Sequence, residues 1–211
     1  LLASSAASDV YKRQYYNSLI TDQTPTQIRD KVIGSIQSYI DTSDTEKFNG
    51  KFRYSKFVGV IDDADVSINS NLTSVMMRKD FYPQLNSTFY YEVCFQNAFD
   101  EDCDDPVLSS TGFRVTEYPN FDVYVEDRDG KIILYRLDTV TGEKVVLDSD
   151  IGDIDYVKGE LKMYALTIIK GSFFDNRISL RVRPLSNDIK AMREVYLDVD
   201  VPNSSFTAYK E

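Results

Sequence analysis

Residues 24–40 read TPTQIRDKVIGSIQSYI, and this stretch carries the clearest structural signal in the chain. Thr24 suits a helix N-cap, Pro25 suits the first helical position, and Gln27 can complete a capping box. Apolar residues then recur at intervals of three or four and form one stripe: Ile28, Val32, Ile33, Ile36, Tyr39 and Ile40. The stretch therefore predicts an amphipathic helix that packs its apolar stripe against another element.

The sequence that follows predicts one more helix and then strands. Polar residues at 41–46 interrupt the stripe, and helical spacing returns in a shorter run: Tyr54, Phe57, Val58 and Ile61. After Asp65 the apolar period becomes two, which is typical of strands with one buried face: 72–79, 89–96, 121–126, 132–137, 145–147, 161–169, 178–182 and 195–201. We therefore predict an α+β fold, with an N-terminal amphipathic helix pair followed by a mostly antiparallel β-rich region.

The sequence divides into three predicted ranges. Residues 4–14 read SSAASDVYKRQ and resemble translated adapter sequence, so we assign 1–14 to a non-native origin and exclude it from the fold. The chain has no initiator Met and is expected to begin partway through a longer protein. Residues 15–117 form the predicted domain with the helix pair, and 118–211 form a β-rich domain with a C-terminal strand. The acidic loop 100–105 and the turn 118–120 favour this boundary, with ordinary surface loops as the alternative.

The composition excludes several classes of function. The 211 residues include 34 Asp plus Glu and 24 Lys plus Arg, and the net charge of −10 disfavours nucleic acid and anionic lipid as partners. The absence of His excludes His-dependent catalytic triads and His-ligated zinc. Cys94 and Cys103 are too few for a disulfide framework and indicate thiols in a reducing cytoplasm. No apolar stretch is long enough to span a bilayer and no signal peptide is found, so we expect a soluble, unexported chain.

Three acidic segments could carry chemistry in principle, and a simpler interpretation is favoured for each. Residues 126–130 superficially resemble a calcium loop, but Asp129-Gly130 is typical of a hairpin turn. Residues 100–105 could chelate a hard cation, whereas a charge run usually faces water. Asp153 and Asp155 share one strand face and could serve glycoside hydrolysis, but two solvated carboxylates near a Gly turn are favoured. We predict no catalytic, cofactor-binding or metal-binding residue, no cofactor and no small-molecule substrate.

Two arrays of residues resemble one known family. The first contains the stripe from Ile28 to Tyr39, with Phe48-Asn49-Gly50, Tyr54-Ser55-Lys56, Ile61-Asp62 and Ser67-Ile68. The second contains Ile151-Gly152-Asp153-Ile154-Asp155-Tyr156-Val157-x-Gly159, then Arg183-Pro184-x-Ser186-Asn187-Asp188-Ile189-x-Ala191-x-Arg193. Together they resemble the C-terminal portion of the baseplate wedge proteins of T4-like contractile-tailed bacteriophages, within the baseplate-J group. The resemblance implies dimerising wedge subunits that join into an inner baseplate ring and rearrange when the tail contracts.

This resemblance and the high content of Tyr and Phe favour a structural subunit of the baseplate wedge, which acts by subunit–subunit packing and is not an enzyme. The expected partners are further copies of the chain, as a dimer or ring, and neighbouring wedge proteins. The expected location is the virion tail baseplate, after assembly in the host cytoplasm. The alternative is a β-rich module of a phage tail or surface protein that binds carbohydrate or a receptor, and a carboxylate-dependent hydrolase is a third hypothesis.

One sharper hypothesis concerns Arg183 and Arg193. Each guanidinium could form a bidentate pair with a carboxylate of an adjoining chain, and pairing within the chain is an alternative of at least equal weight. If the interface hypothesis holds, replacing either arginine should weaken association and leave thermal stability nearly unchanged.

Overall fold

Strands make up most of the secondary structure of this chain. The computed structural model describes residues 6–43, 50–101, 105–191 and 197–210. Within these residues lie two helices, α1 (Pro25–Thr42) and α2 (Tyr54–Asp62). The strands of the described part are β1 (Ala6–Tyr16), β2 (Lys51–Phe52), β3 (Ile68–Phe81), β4 (Thr88–Cys94), β5 (Leu108–Ser110), β6 (Phe113–Val115), β7 (Tyr118–Arg128), β8 (Lys131–Leu137), β9 (Lys144–Asp155), β10 (Glu160–Lys170), β11 (Ile178–Val182), β12 (Ile189–Lys190), β13 (Leu197–Val199) and β14 (Ser205–Lys210).

The predicted α+β class, with an N-terminal helix pair ahead of the strands, is wrong. The described chain is mostly β, β1 precedes α1, and β2 separates two short helices. The sequence of β1, AASDVYKRQYY, has no apolar alternation, so the period-two test could not detect it. Its partners β13 and β14 lie more than 180 residues further along the chain. Local periodicity therefore predicted too large a share of helix in the fold.

The described residues form two compact units. Unit 1 comprises the described parts of 1–76 and 187–211, and unit 2 comprises those of 77–186. β3 contributes residues to both units. The division predicted from the sequence, into 1–14, 15–117 and 118–211, stays a prediction.

The start of α1 follows its sequence because a local hydrogen-bonding pattern determines it. The N–H of Gln27 donates to the Thr24 hydroxyl at 3.3 Å, and the N–H of Thr24 donates to the Gln27 side-chain oxygen at 2.8 Å. This confirms the predicted capping box. One face of α1 is buried, through Ile28, Val32, Ile36 and Ile40. The ring of Tyr39 lies 6.0 Å from the ring of Phe57 in α2, so the two helices pack on each other.

The strands of unit 1 join residues from distant parts of the sequence. β1 runs parallel to β14, with Tyr15 opposite Tyr209 and their rings stacked at 5.7 Å between centroids. β1 also runs parallel to β13. β2 pairs antiparallel with β12, where Phe52 lies opposite Ile189 and both are buried. Parallel neighbours cannot be joined by a tight turn, so no local sequence signal accompanies them.

Unit 2 consists of antiparallel pairings. Its strands follow the order β3, β11, β5, β7, β6, β10, β9, β8, while β4 pairs with β10 and β7 also pairs with β8. β3 enters this arrangement through residues 77–81, which pair with β11. Asp129 (φ 51°) and Gly130 (φ 79°) both adopt left-handed conformations between β7 and β8, as a type I′ turn requires. The predicted hairpin at Asp129-Gly130 is therefore confirmed.

Two glycines of the second array permit close approach of backbone segments in unit 2. A Cβ at Gly152 would lie 2.2 Å from the carbonyl oxygen of Lys162 on the neighbouring strand. A Cβ at Gly159 would lie 2.0 Å from the carbonyl oxygen of Asn97, and Gly159 also has a φ of 68°. Both positions exclude a side chain, so these motif residues serve the fold of unit 2.

Candidate functional site

The loop after β1 and the turn before β3 meet in unit 1. The backbone N–H of Asn17 donates to the carbonyl of Ser67 at 2.8 Å. The side-chain oxygen of Asn17 accepts from the N–H of Leu19 at 2.8 Å, and its carbonyl accepts from the N–H of Ile20 at 3.4 Å. The first bond joins the two loops, and the other two fix the conformation of the loop after β1.

Three large apolar side chains on these two loops are exposed. Leu19 and Val66 are each 91% exposed, and Ile20 is 57% exposed. We refer to Leu19, Ile20 and Val66 as the apolar corner. A single exposed apolar residue is ordinary, whereas a group of them on a fixed backbone is typical of a protein–protein contact.

Asp65 fixes the turn next to Val66. Its carboxylate accepts from the N–H of Ser67 at 2.9 Å, from the Ser67 hydroxyl at 2.6 Å and from the Lys31 ammonium of α1 at 2.5 Å. Asp65 and Ser67 are buried, whereas the Lys31 side chain is about half exposed. The hydrogen bonds from Lys31 and Ser67 lower the pKa of Asp65 from 3.8 to about 2. The carboxylate is therefore ionised at neutral pH and links the turn to α1.

Two of the acidic segments considered as cation sites meet in one cleft of unit 2. Glu101 and Asp105 lie with residues 126–130 around a cavity of about 570 Å³, which Lys144 and Tyr156 also line. Asp102 and Asp104 of the predicted acidic loop lie outside the described residues. Sequence alone could not show this juxtaposition, because the two segments are separated by β5 and β6.

The two buried carboxylates of this cleft are engaged by groups of the same unit. The Lys144 ammonium donates to Glu126. Asp127 accepts from the N–H of Leu108 at 2.7 Å and from the Tyr156 hydroxyl at 2.8 Å. Burial, and then the Asp127 carboxylate, raise the pKa of Tyr156, so that its hydroxyl remains a donor. Within the described ranges no group of three or more Cys, Asp or Glu is placed to hold a metal ion.

Asp153 and Asp155 lie on β9, and each has its own partners. The Lys131 ammonium donates to Asp153 at 2.8 Å, and the Tyr164 hydroxyl also donates to it. The N–H of Lys158 donates to Asp155 at 2.9 Å, and the Lys158 ammonium lies 3.2 Å from the same carboxylate. These hydrogen bonds lower the pKa of both carboxyls. A glycosidase acid needs a raised pKa, so the arrangement gives the hydrolase hypothesis no support.

Asp188 of the second array caps α2. Its carboxylate accepts from the backbone N–H of Tyr54, the first residue of α2, at 2.8 Å and from the Arg53 guanidinium at 2.7 Å. The bond from Arg53, followed by the one from Tyr54, lowers the pKa of Asp188. The N-terminus of α2 has no cap from its own N-cap side chain, so a distant carboxylate takes that role.

Of the two arginines in the interface hypothesis, only Arg183 lies among the described residues. The backbone N–H of Arg183 donates to the carbonyl of Val107 at 3.1 Å, and its side chain is half-buried. Across the described part of the chain, the Arg183 guanidinium has no hydrogen bond or ion pair. Arg193 lies outside the described residues. The interface hypothesis for Arg183 stays a prediction.

Sequence reasoning missed the apolar corner and its Asp65 support. A signal was available, because Leu19-Ile20 is an apolar pair between polar residues, and Val66 follows a segment with three Asp among residues 62–65. Apolar residues that no helical or strand period explains deserve notice as contact candidates. The sequence does not show, however, that the two loops meet.

The apolar corner and Asp65 lie in the part of the chain that is similar to a known family. Residues 11–80 match baseplate structural protein gp6, C-terminal domain III. The matched range contains both helices and nearly all of β3. The match supports a structural subunit of a phage baseplate, located in the virion tail, and suggests a structural role without catalysis. Comparison with curated proteins gave no match. No helix of the described residues has both the length and the apolar character that crossing a membrane requires.

Proposed function

We propose that the protein is a structural subunit of the baseplate wedge of a contractile-tailed phage, within the baseplate-J group. It acts by packing against other subunits of the inner baseplate ring and has no catalytic activity. The match of residues 11–80 to a baseplate structural domain carries this proposal. Its partners are a second copy of the chain and neighbouring wedge proteins, and assembly takes place in the host cytoplasm.

The apolar corner supports this proposal because it supplies apolar surface inside the matched range. Complete burial of a Leu, Ile or Val side chain contributes about 2 kcal/mol, so covering all three contributes on the order of 6 kcal/mol. Association has an entropic cost of similar size. Burial of the apolar corner therefore offsets the entropic cost of association, so the corner can form the centre of a contact. A stable interface also needs favourable contacts from the polar surface around it.

Arg183 offers a second contact in the proposed assembly. Arg183 is half-buried, and among the described residues its guanidinium has no acceptor. A carboxylate of an adjoining subunit can accept two parallel N–H bonds from it. Replacement by Lys keeps the charge and loses the bidentate geometry, so Arg183→Lys should weaken association while the melting temperature stays unchanged.

The test compares Val66→Asp with Val140→Asp in the full chain. The two valines are 91% and 92% exposed, so the same charge enters at equally exposed positions. Sedimentation velocity is measured over an about hundredfold concentration range, for the chain alone and mixed with the other baseplate proteins of the same phage. We expect Val66→Asp to weaken association by at least about tenfold, because a desolvated carboxylate would face apolar partner groups.

Val140→Asp should associate like the wild type, and both variants should melt like the wild type because exposed positions contribute little to stability. A wild-type chain that remains monomeric alone and in the mixtures would contradict the proposed function. Equal association of Val66→Asp and the wild type would show that the contact lies elsewhere on the chain.

A further inference from the structure

Unit 2 contains a groove where β9 and β10 separate. The two strands pair from Gly152 opposite Met163 to Asp155 opposite Glu160. β10 then shifts its register and continues along β6, away from β9. The first half of β9 pairs with β8 on its other side. Among the described residues, the edge of 144–150 that faces away from β8 pairs with no strand.

The groove has an apolar floor large enough for a side chain. Its volume is about 210 Å³, and its lining includes Val115, Ile151 and Leu166, which are all buried. Pockets for small molecules usually measure about 300–1,000 Å³. The groove is therefore small for a metabolite, and its place beside a strand edge suits one anchoring side chain of an extended peptide.

The rim of the groove is acidic. Glu117, Asp148 and Asp150 line it, and no Lys or Arg belongs to its lining. The Lys131 ammonium lies 3.2 Å from Asp150 and is shared with Asp153. Asp148 accepts the N–H of Asp150 at 3.0 Å. Within the described part of the chain, no cation pairs with Glu117 or Asp148. Two uncompensated carboxylates thus flank an apolar floor and a strand edge.

We propose that this groove binds an extended basic segment of a partner protein. The segment adds a strand along residues 144–150 of β9 and places a Lys or Arg between Glu117 and Asp148. Main-chain hydrogen bonds to the unpaired edge provide affinity, and the floor and the two carboxylates provide selectivity. The acidic rim is complementary to a basic segment, which favours a basic partner protein as the occupant.

The probe is a fluorescein-labelled peptide with blocked ends and the sequence Ser-Val-Lys-Val-Lys-Val-Ser, and the control peptide carries Glu in place of Lys. Fluorescence anisotropy with the full chain should show saturable binding of the Lys peptide only. Glu117→Gln combined with Asp148→Asn should weaken this binding about five- to tenfold. The control variant, Asp22→Asn combined with Asp63→Asn, changes the net charge by the same amount at exposed positions of unit 1. Its affinity for the Lys peptide should stay within about twofold of the wild type.

Two further measurements separate strand addition from general charge attraction. A Lys peptide N-methylated at alternate residues lacks the donors for pairing and should not bind. Amide hydrogen exchange at residues 144–151 should slow when the unmodified Lys peptide is bound. This site is in unit 2, so its test does not depend on the outcome for the apolar corner.

Each of the following results with the peptides would overturn the inference: no saturable binding, equal affinity for the Glu peptide, unchanged affinity of the Glu117→Gln and Asp148→Asn variant, or exchange protection outside 144–151. Protection of 144–151 that rises with protein concentration in the absence of peptide would assign the edge to a second copy and would also overturn it.

Discussion

Removal of the Asp65 carboxylate should destabilise the turn that carries Val66. The perturbation is Asp65→Ala, with Asp65→Asn as the conservative variant and Asp63→Ala as the control. Ser67 is fully buried, so water cannot replace the acceptor that its N–H loses in Asp65→Ala. Asp63 lies two residues earlier and is exposed, which makes it a matched carboxylate without this role.

The magnitude follows from the three bonds of Asp65. An unsatisfied buried N–H costs about 2 kcal/mol, and the lost bond from the Ser67 hydroxyl costs about 1 kcal/mol. The ion pair with the half-exposed Lys31 adds only about 0.5 kcal/mol. Asp65→Ala should therefore lower the free energy of unfolding by about 3.5 kcal/mol. Asp65→Asn keeps an acceptor oxygen for Ser67 and should lower it by about 1 kcal/mol, and Asp63→Ala by less than about 0.5 kcal/mol.

The contribution of Asp65 also depends on pH, with a definite sign. Its pKa is lowered from 3.8 to about 2, so the folded state favours the ionised carboxylate. The stabilisation is therefore complete above about pH 4 and is lost as the pH falls toward about 2. The difference between the wild type and Asp65→Asn should shrink over the same interval.

Urea denaturation, followed by circular dichroism and tyrosine fluorescence, measures these changes, since the chain has 15 Tyr and no Trp. Unfolding of Asp65→Ala at the same urea concentration as Asp63→Ala would contradict the stabilising role of the Asp65 carboxylate. A difference in the free energy of unfolding between the wild type and Asp65→Asn that stays constant between about pH 5 and pH 2 would contradict its pH dependence.

Two further substitutions test how residues of the second array support the fold. Gly159→Ala would place a Cβ 2.0 Å from the Asn97 carbonyl oxygen and should lower the free energy of unfolding by more than about 3 kcal/mol in urea titrations; Gly142→Ala, with a similar φ of 73° and open space, should lower it by only about 1 kcal/mol. Asp188→Ala removes the cap of α2 and should cost about 1–2 kcal/mol in thermal melts, more than Arg53→Ala, whose partly exposed ion pair contributes less; equal losses would contradict the capping role.

The parts of the fold that could be predicted depend on interactions between near neighbours in sequence. Thr24 and Gln27 form hydrogen bonds with each other, so four consecutive residues determine where α1 begins. Asp129-Gly130 likewise determines its own turn, because both residues take the left-handed conformation readily. These elements are present where the sequence predicts them.

The fold class could not be predicted, because it depends on pairings between distant residues. β1 has no apolar alternation and becomes a strand through its parallel partners β13 and β14. The apolar corner also could not be predicted, because it too depends on a pairing between distant residues. The loops that carry Leu19 and Val66 are joined by one backbone bond, from Asn17 to Ser67, which no periodicity in the sequence indicates.

The second array, which resembles part of the baseplate wedge proteins, contains several residues that serve the fold of this chain. Gly152 and Gly159 permit close approach of backbone segments, and the carboxylate of Asp188 caps α2. Such residues identify a fold and leave little chemistry for a partner. Selection of partners must then rest on side chains that the chain does not use itself, such as Val66 at the apolar corner and the guanidinium of Arg183. Substitutions at these two positions should change assembly without changing stability, whereas substitutions at Gly152, Gly159 and Asp188 should change both.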